Sequence, residues 1–564
     1  MNTAAFEIAR ERQLDWLLAE VLGETPRAAA PARGAWTRRQ WLAAAIVLLA
    51  IGVAFAVAAL RDTPHGMAPV QDPDAPIDWR ECDRAHVDEL SADVVSLRCF
   101  DFDDAAIAKL ARCTRLERLD LSGMRIDARG VSEVLPITDA GVAQLATLST
   151  LRWLSLQHCE QVEGRTLAVL RAIPRLEHLD LTHTGVTSEG LAALPQLPSL
   201  REVSLSYCLG FHGRSLADVA KLPGLRRLEL EGCATVSAAD VAQLANLHEL
   251  RHLDLRDCMG RYRGQTEAVV AFDDITNGGA PRPEPPKHDE IGVTDVAVAA
   301  LAKLPLEALL LGGCEQLTDA IAPTLRGLAG LRTVDLGTLP KTTPKVLEAL
   351  HPTLVKLSIA ENGHYPASDL AQLVRFTQLT ELDLRGVRTI DDGLLADIVA
   401  GKPLRFLGVG GTERSTMAFG GRTLSTERPD GPALTAACAK ALAGVTTLER
   451  LEASYSTWFD PKVATAVAAL PRLRALDLRC ARVPAGGLAP LARSRSLRTL
   501  SLAFASTLTI DELRGLAGAP LTSLDLMGTP VDPVEIRKLA DAFPGCDIRL
   551  PDHTHVGGGN GGSR

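Results

Sequence analysis

Leucines recur in one frame along most of the chain. The pattern Leu-x-x-Leu-x-Leu starts at Leu151, Leu176, Leu225 and Leu250, and a variant with Val203 in the middle starts at Leu200, so the spacing is 24 to 25 residues. Its last two apolar positions alternate with one polar residue, which predicts a short strand with both leucines on one face. The stretch that follows, such as 186–194, has apolar residues at helical spacing behind a Thr or Ser suited to capping. One strand and one helix make a coil that cannot bury its own apolar side. Stacked coils would pair their strands in parallel and merge their leucines into one core, with stability roughly a sum over neighbours.

The frame continues with strands expected from Leu306, Leu331, Leu354, Leu379, Leu404, Leu448, Leu473, Leu497 and Leu521. Leu116 begins an earlier one, 94–99 is a weaker first copy, and 546–550 reads as a closing strand. The array thus covers 81–550 as one elongated domain. The frame is interrupted after Leu116, Leu250 and Leu404, each time past the third apolar position and before the helix. All three insertions therefore leave from the same edge.

With Cys159, Cys208, Cys233, Cys258 and Cys314 each three residues past the last motif position, the chain resembles the leucine-rich-repeat family. It is similar in particular to the cysteine-containing, ribonuclease-inhibitor-like subtype. The resemblance implies an α/β leucine-rich-repeat solenoid, a horseshoe with a parallel concave sheet and convex helices, used for binding. The in-phase cysteines are expected to stack as reduced thiols that make weak bonds to the backbone. Cys82, Cys99 and Cys113 fall outside that phase, and a disulfide among them is left open.

Residues 41–60 are twenty consecutive apolar positions, enough for a helix of about 30 Å across a bilayer. Arg27, Arg33, Arg38 and Arg39 precede them, whereas Arg61 is followed by Asp62, Asp72 and Asp74. This bias predicts one transmembrane helix ahead of the solenoid, with 1–40 cytoplasmic and the repeats extracytoplasmic. A bacterial inner membrane facing the periplasm fits the Arg- and Ala-rich composition. A cleaved signal peptide is the rival, because Ala56-Val-Ala58 offers a peptidase site, but its leading segment would be unusually long. Segment 6–22 has helical spacing, 61–80 is a Pro-rich linker, and 551–564 reads as a disordered Gly-rich tail.

Composition and motifs narrow the function. The 564 residues carry a formal net charge of −9, which argues against nucleic acid as partner. The sequence has no CxxC, HExxH, G-x-S-x-G or Walker A pattern, so neither an enzyme nor a cofactor is expected. The glycines of 557–562 match a dinucleotide-binding pattern only formally, since no strand is expected before them. His553 and His555 beside Asp552, and the group Asp101, Asp103 and Asp104, are weak metal candidates. Asp103 or Asp104 serves equally well as a helix cap.

The residue between the two inward motif positions is acidic at Asp120, Asp180, Glu229, Asp254, Asp335 and Asp383, which predicts an exposed acidic row on the strand face. Arg256 and Arg385 lie beside it. The row reads either as a neutralised, solvated face, on which Asp254→Asn would be nearly silent, or as a groove for a basic partner. The insertions supply Arg263 and Phe419 as further candidates for contact with an unknown protein ligand or surface polymer. The alternative class is an intracellular adaptor resembling F-box leucine-rich-repeat proteins of ubiquitin ligases, although an apolar anchor stands where its F-box module would be.

Overall fold

The computed structural model describes residues 79–557, apart from 124, 127–131, 134, 209, 211–215, 234, 259–291, 413–430 and 553. The expected cytoplasmic segment, the membrane helix 41–60 and nearly all of the linker lie outside the described residues. Among those described, no helix is long and apolar enough to cross a membrane.

Each repeat places its strand where the alternation requires it, as in Trp153–Ser155, Arg227–Glu229 and Ala475–Asp477. Among the described residues the strands join one 19-stranded sheet, parallel throughout except for its last member. Register never slips across the repeats: Leu154 pairs with Leu179, Leu228 with Leu253, Val334 with Leu357 and Leu476 with Leu500. One irregularity falls between Arg98 and Phe100, ahead of the first regular repeat. The pairing outlasts the assigned strands, since Leu156 N–H donates to the Asp180 carbonyl at 2.8 Å and His158 N–H to that of Thr182 at 3.0 Å. The array also starts one strand earlier than the weak copy at 94–99, with Arg80–Asp83 paired to Ser96–Phe100.

The motif leucines form a single continuous core. Leu225, Leu228 and Leu230 have no exposed surface, and the same holds for Leu250, Leu253 and Leu255. The return segments are short helices of four to eight residues, commonly followed by a 3-10 turn such as Leu244–Asn246. Thr187 caps Ser188–Leu191, Asp391 caps Asp392–Val399, and Ser237 forms a full capping box with Asp240. Asp103 is likewise a cap, for Asp104–Lys109. The acid just after a cap often bonds the next coil: Asp295 accepts from the Thr318 N–H at 2.8 Å and hydroxyl at 2.7 Å, and Asp319 treats Thr343 in the same way, both at 2.7 Å.

All eleven cysteines are unbridged, including Cys82, Cys99 and Cys113. The in-phase thiols of Cys208, Cys233, Cys258 and Cys314 donate to the carbonyls of Leu181, Leu205, Leu230 and Leu255 at 2.9, 3.0, 3.2 and 3.1 Å. Each of those carbonyls belongs to the last motif leucine of the preceding coil. Asn362 occupies the same place in its repeat, and its amide donates to the Leu336 carbonyl at 2.7 Å. Burial pushes the Cys208 thiol up to about 11 and the Cys233 and Cys258 thiols well above the ordinary range.

Two expectations change. The first insertion contains a small antiparallel hairpin, Arg125–Ile126 against Ser132–Glu133. The tail read as disordered from 551 adds His555–Gly557 antiparallel to Asp547–Arg549, the closing strand. Pairing an otherwise open edge outweighs the turn-rich composition there, and residues from 558 on lie outside those described.

Leu228→Ala is expected to cost about 2–5 kcal/mol, and Leu228→Asp more, because no partner for a carboxylate exists in that core. Urea melting of both variants checks this. A Leu228→Asp protein with the wild-type midpoint would mean that the core is not where the frame places it.

Candidate functional site

The acidic row is real as a register but is not an exposed surface. Strand pairing aligns Asp120, Ser155, Asp180, Ser204, Glu229 and Asp254, and further along Asp335, Ser358, Asp383, Gly408 and Glu452. Asp254 and Asp383 are only 3% and 2% exposed, Asp120 and Asp335 are also buried, and Asp180 and Glu229 are half-buried. The expected solvated row is thus corrected. Flanking strands and overlying arginines cover it.

The reason for an aspartate at this position lies in the turn that ends each strand. Asp180, Asp254, Asp335, Asp383 and Asp477 each accept the backbone N–H two residues on, at 2.9, 3.0, 2.9, 3.1 and 2.9 Å. This is a side-chain-closed turn, which Asp and Ser can make and apolar residues cannot. The next residue then takes positive φ, as at His183, Asp257, Thr338 and Cys480. Ser155 closes the same turn at 3.3 Å ahead of His158.

Charge along the row is balanced locally. Most acidic residues have Ser or Gly as a neighbour, which separates like charges by two strands. Where two acids do adjoin, arginines intervene. Asp254, next to Glu229, is held by Arg256, whose Nε lies 3.0 and 3.1 Å from the two Asp254 carboxylate oxygens, and Arg227 holds Glu229 at 2.7 Å. Glu452 next to Asp477 meets Arg385 at 2.8 Å and also pairs with Arg450, while Arg479 holds Asp477 at 2.8 Å.

Arg385 also bonds Asp383 at 2.9 Å and so spans from its own strand to the one beyond its neighbour. The strand it crosses carries Gly408, where a Cβ would come within 2.5 Å of the Asp383 carboxylate. Arg256 similarly reaches Glu231 at 2.6 Å. Burial raises the Glu231 carboxyl to about 7; Arg256 opposes the shift, and Asp254 and Asp257 add to it. Burial and the charge of Arg227 hold His252, on the neighbouring row, down to about 4.

Two aromatic arrays escaped the sequence reading. On the strand face Trp153 stacks on His178 with centroids 4.9 Å apart, and Trp79 meets Trp153 edge-on at 5.5 Å. At the positive-φ turn His158, His183 and Tyr207 stack at 4.8 and 4.6 Å. That stack ends at Gly232, where any Cβ would lie 2.4 Å from the Tyr207 ring. The spacing of 24 to 25 residues from Trp153 to His178 and along His158, His183 and Tyr207 was the available signal. Arg263 and Phe419 lie outside the described residues.

The family model described as Leucine Rich repeat matches residues 174–194. That match covers one coil, and the fold is a solenoid of the leucine-rich-repeat kind, with short parallel strands and return helices. No curated protein matches the sequence. Among solved structures, an internalin (InlF) of Listeria monocytogenes is 16% identical, with 73% of this chain and 92% of that one covered and a TM-score of 0.34. A leucine-rich-repeat protein of Leptospira interrogans is 15% identical, over 83% and 99% of the two chains, with a TM-score of 0.34. The yeast Rad7 and Elc1 complex also matches, at 15% identity, 79% and 88% coverage and a TM-score of 0.36. These likenesses bear on no binding site.

Asp254→Asn is therefore expected to be destabilising rather than silent. The amide oxygen can still close the turn, but the buried Arg256 loses the carboxylate that both its Nε and Nη2 contact and keeps Glu231, and breaking such a pair costs up to about 3–5 kcal/mol. Asp254→Ala should lose more, and equal urea midpoints for wild type and Asp254→Asn would refute the buried-pair account.

Folding disfavours the ionised form of Glu231, so its contribution is intact below its ordinary pKa of about 4.3 and is lost as pH rises through about 7. Glu231→Gln should raise Tm at pH 8 relative to wild type and leave it unchanged or lower at pH 4. The same shift at both values would contradict this.

Proposed function

We propose that this is a membrane-anchored, non-catalytic binding protein whose extracytoplasmic repeats take up a protein or surface polymer along the edge from which the insertions leave. The observation that carries this reading is the closure of the acidic row. Its carboxylates are engaged in turns and buried ion pairs, so a basic ligand has few free anions to meet on the strand face. What differs from coil to coil is the edge at the strand ends, where the frame is interrupted, and insertions at such an edge of a rigid scaffold commonly recognise partners. Residues 259–291 and 413–430 both depart just past that turn. Gly431 returns to within 3.0 Å of Gly411, measured from where its Cβ would lie, so the last insertion leaves and re-enters at one place.

The anchor rests on the apolar run 41–60 and the arginine bias before it. The cysteine-containing subtype is supported by the thiol-to-carbonyl bonds of Cys208, Cys233, Cys258 and Cys314. No observation favours the ubiquitin-ligase adaptor over this reading.

Joining Thr412 directly to Gly431 should leave Tm within a few degrees of wild type, because the ends already meet, while ligands recovered by affinity capture with the full chain are lost. Retained capture by this variant and by one shortened across 262–288 would move recognition away from this edge. Protease added to spheroplasts should digest the repeats and spare 1–40, and the reverse protection pattern would overturn the topology.

A further inference from the structure

A second site lies at the opposite ends of the strands, where the chain enters them. A cavity of about 570 Å³ there is lined by Arg472, Arg474, Arg495, Arg498, Glu449 and Ser496, among others. Arg474 and Arg498 directly precede the strands Ala475–Asp477 and Thr499–Ser501. In earlier repeats the arginine at this position commonly has a glutamate in the next coil, as in Arg152 with Glu177 at 3.2 Å and Arg251 with Glu307 at 2.6 Å. Arg201 and Arg332 turn to backbone carbonyls instead.

The cavity breaks this compensation. Glu449, its one carboxylate, is held through both oxygens by Arg405 at 3.0 Å each. None of the four lining arginines makes an ion pair with a described carboxylate. Arg498 is fixed by bonds from Nη1 to the carbonyls of Arg495 and Leu497 at 3.2 and 2.9 Å, which leaves its other N–H groups available. Four guanidinium groups thus line one concavity in a chain of net charge −9. Arg472, Arg474 and Arg495 are exposed, so water and salt screen their repulsion in part, and an anion bound among them would relieve it further. A guanidinium fork matches the paired oxygens of phosphate and sulfate, and the volume falls within the range of small-ligand sites.

We propose that this cavity binds a ligand group carrying two or more phosphate or sulfate charges. A single carboxylate would leave most of the positive charge uncompensated, whereas a diphosphate or a multiply sulfated sugar would match it.

The test is calorimetric titration of the full chain with inorganic pyrophosphate and, separately, with a trisulfated heparin disaccharide. Saturable binding of either probe is expected, and which one binds assigns the ligand to phosphate or sulfate. Arg474→Gln/Arg498→Gln should weaken it at least tenfold. The more exposed pair Arg472→Gln/Arg495→Gln should weaken it as well with unchanged melting, which guards against a folding artefact. Arg152→Gln/Arg251→Gln, at glutamate-paired positions, should have no effect. The proposal is overturned if neither probe saturates, if both cavity variants bind like wild type, or if the control pair weakens binding equally.

Discussion

The structure depends on a turn repeated at the strand ends, which in many coils is closed by a side chain. Three residues of strand are too few to define a direction, and the chain must leave the sheet at the same angle in every coil for the next strand to arrive in register. An oxygen on the residue between the two inward leucines provides this by accepting the N–H two positions later, as at Asp180, Asp254 and Asp383. The choice of aspartate creates a secondary problem, because parallel stacking lines the turn residues up. Serine or glycine in alternate coils and arginines such as Arg256 and Arg385 solve it. The row of aspartates and its charge pattern follow from this turn, while the positive-φ position recurs as well in coils where no side chain closes it, as at Gly313 after Leu310.

Two further ladders fasten coil to coil away from the sheet. Thiols donate to the carbonyl of the preceding motif leucine, and acids near the helix starts accept from the next capping threonine. Both use polar groups that burial would otherwise penalise, and both span neighbours only. The cohesion of the stack is therefore distributed along its length.

The architecture was readable because burial imposes period: Leu228 and Leu253 can sit opposite one another only if the frame is kept. The helix caps and thiol bonds followed from side-chain chemistry at fixed phase. The burial of Asp254 and Asp383 was not readable, since alternation says which face a residue points to but not what lies over that face. Long arginines from the same turn cover it, and their reach across Gly408 is a three-dimensional fact with only a faint trace in sequence. The strand His555–Gly557 was obscured for a related reason. Its residues resemble a tail, and only the presence of an unpaired edge makes them a strand. The arginine cavity needed neighbouring coils to be superposed before the missing glutamates became visible.

That reversed final strand has a consequence for self-association. A stack of in-register coils has no intrinsic stopping point, and a bare parallel edge would invite another copy to continue it into a filament. By running antiparallel, His555–Gly557 changes the hydrogen-bond pattern offered at that end, so the parallel ladder is not continued there in the same sense. The template at that edge thus differs from the one each coil offers the next by the direction of three residues.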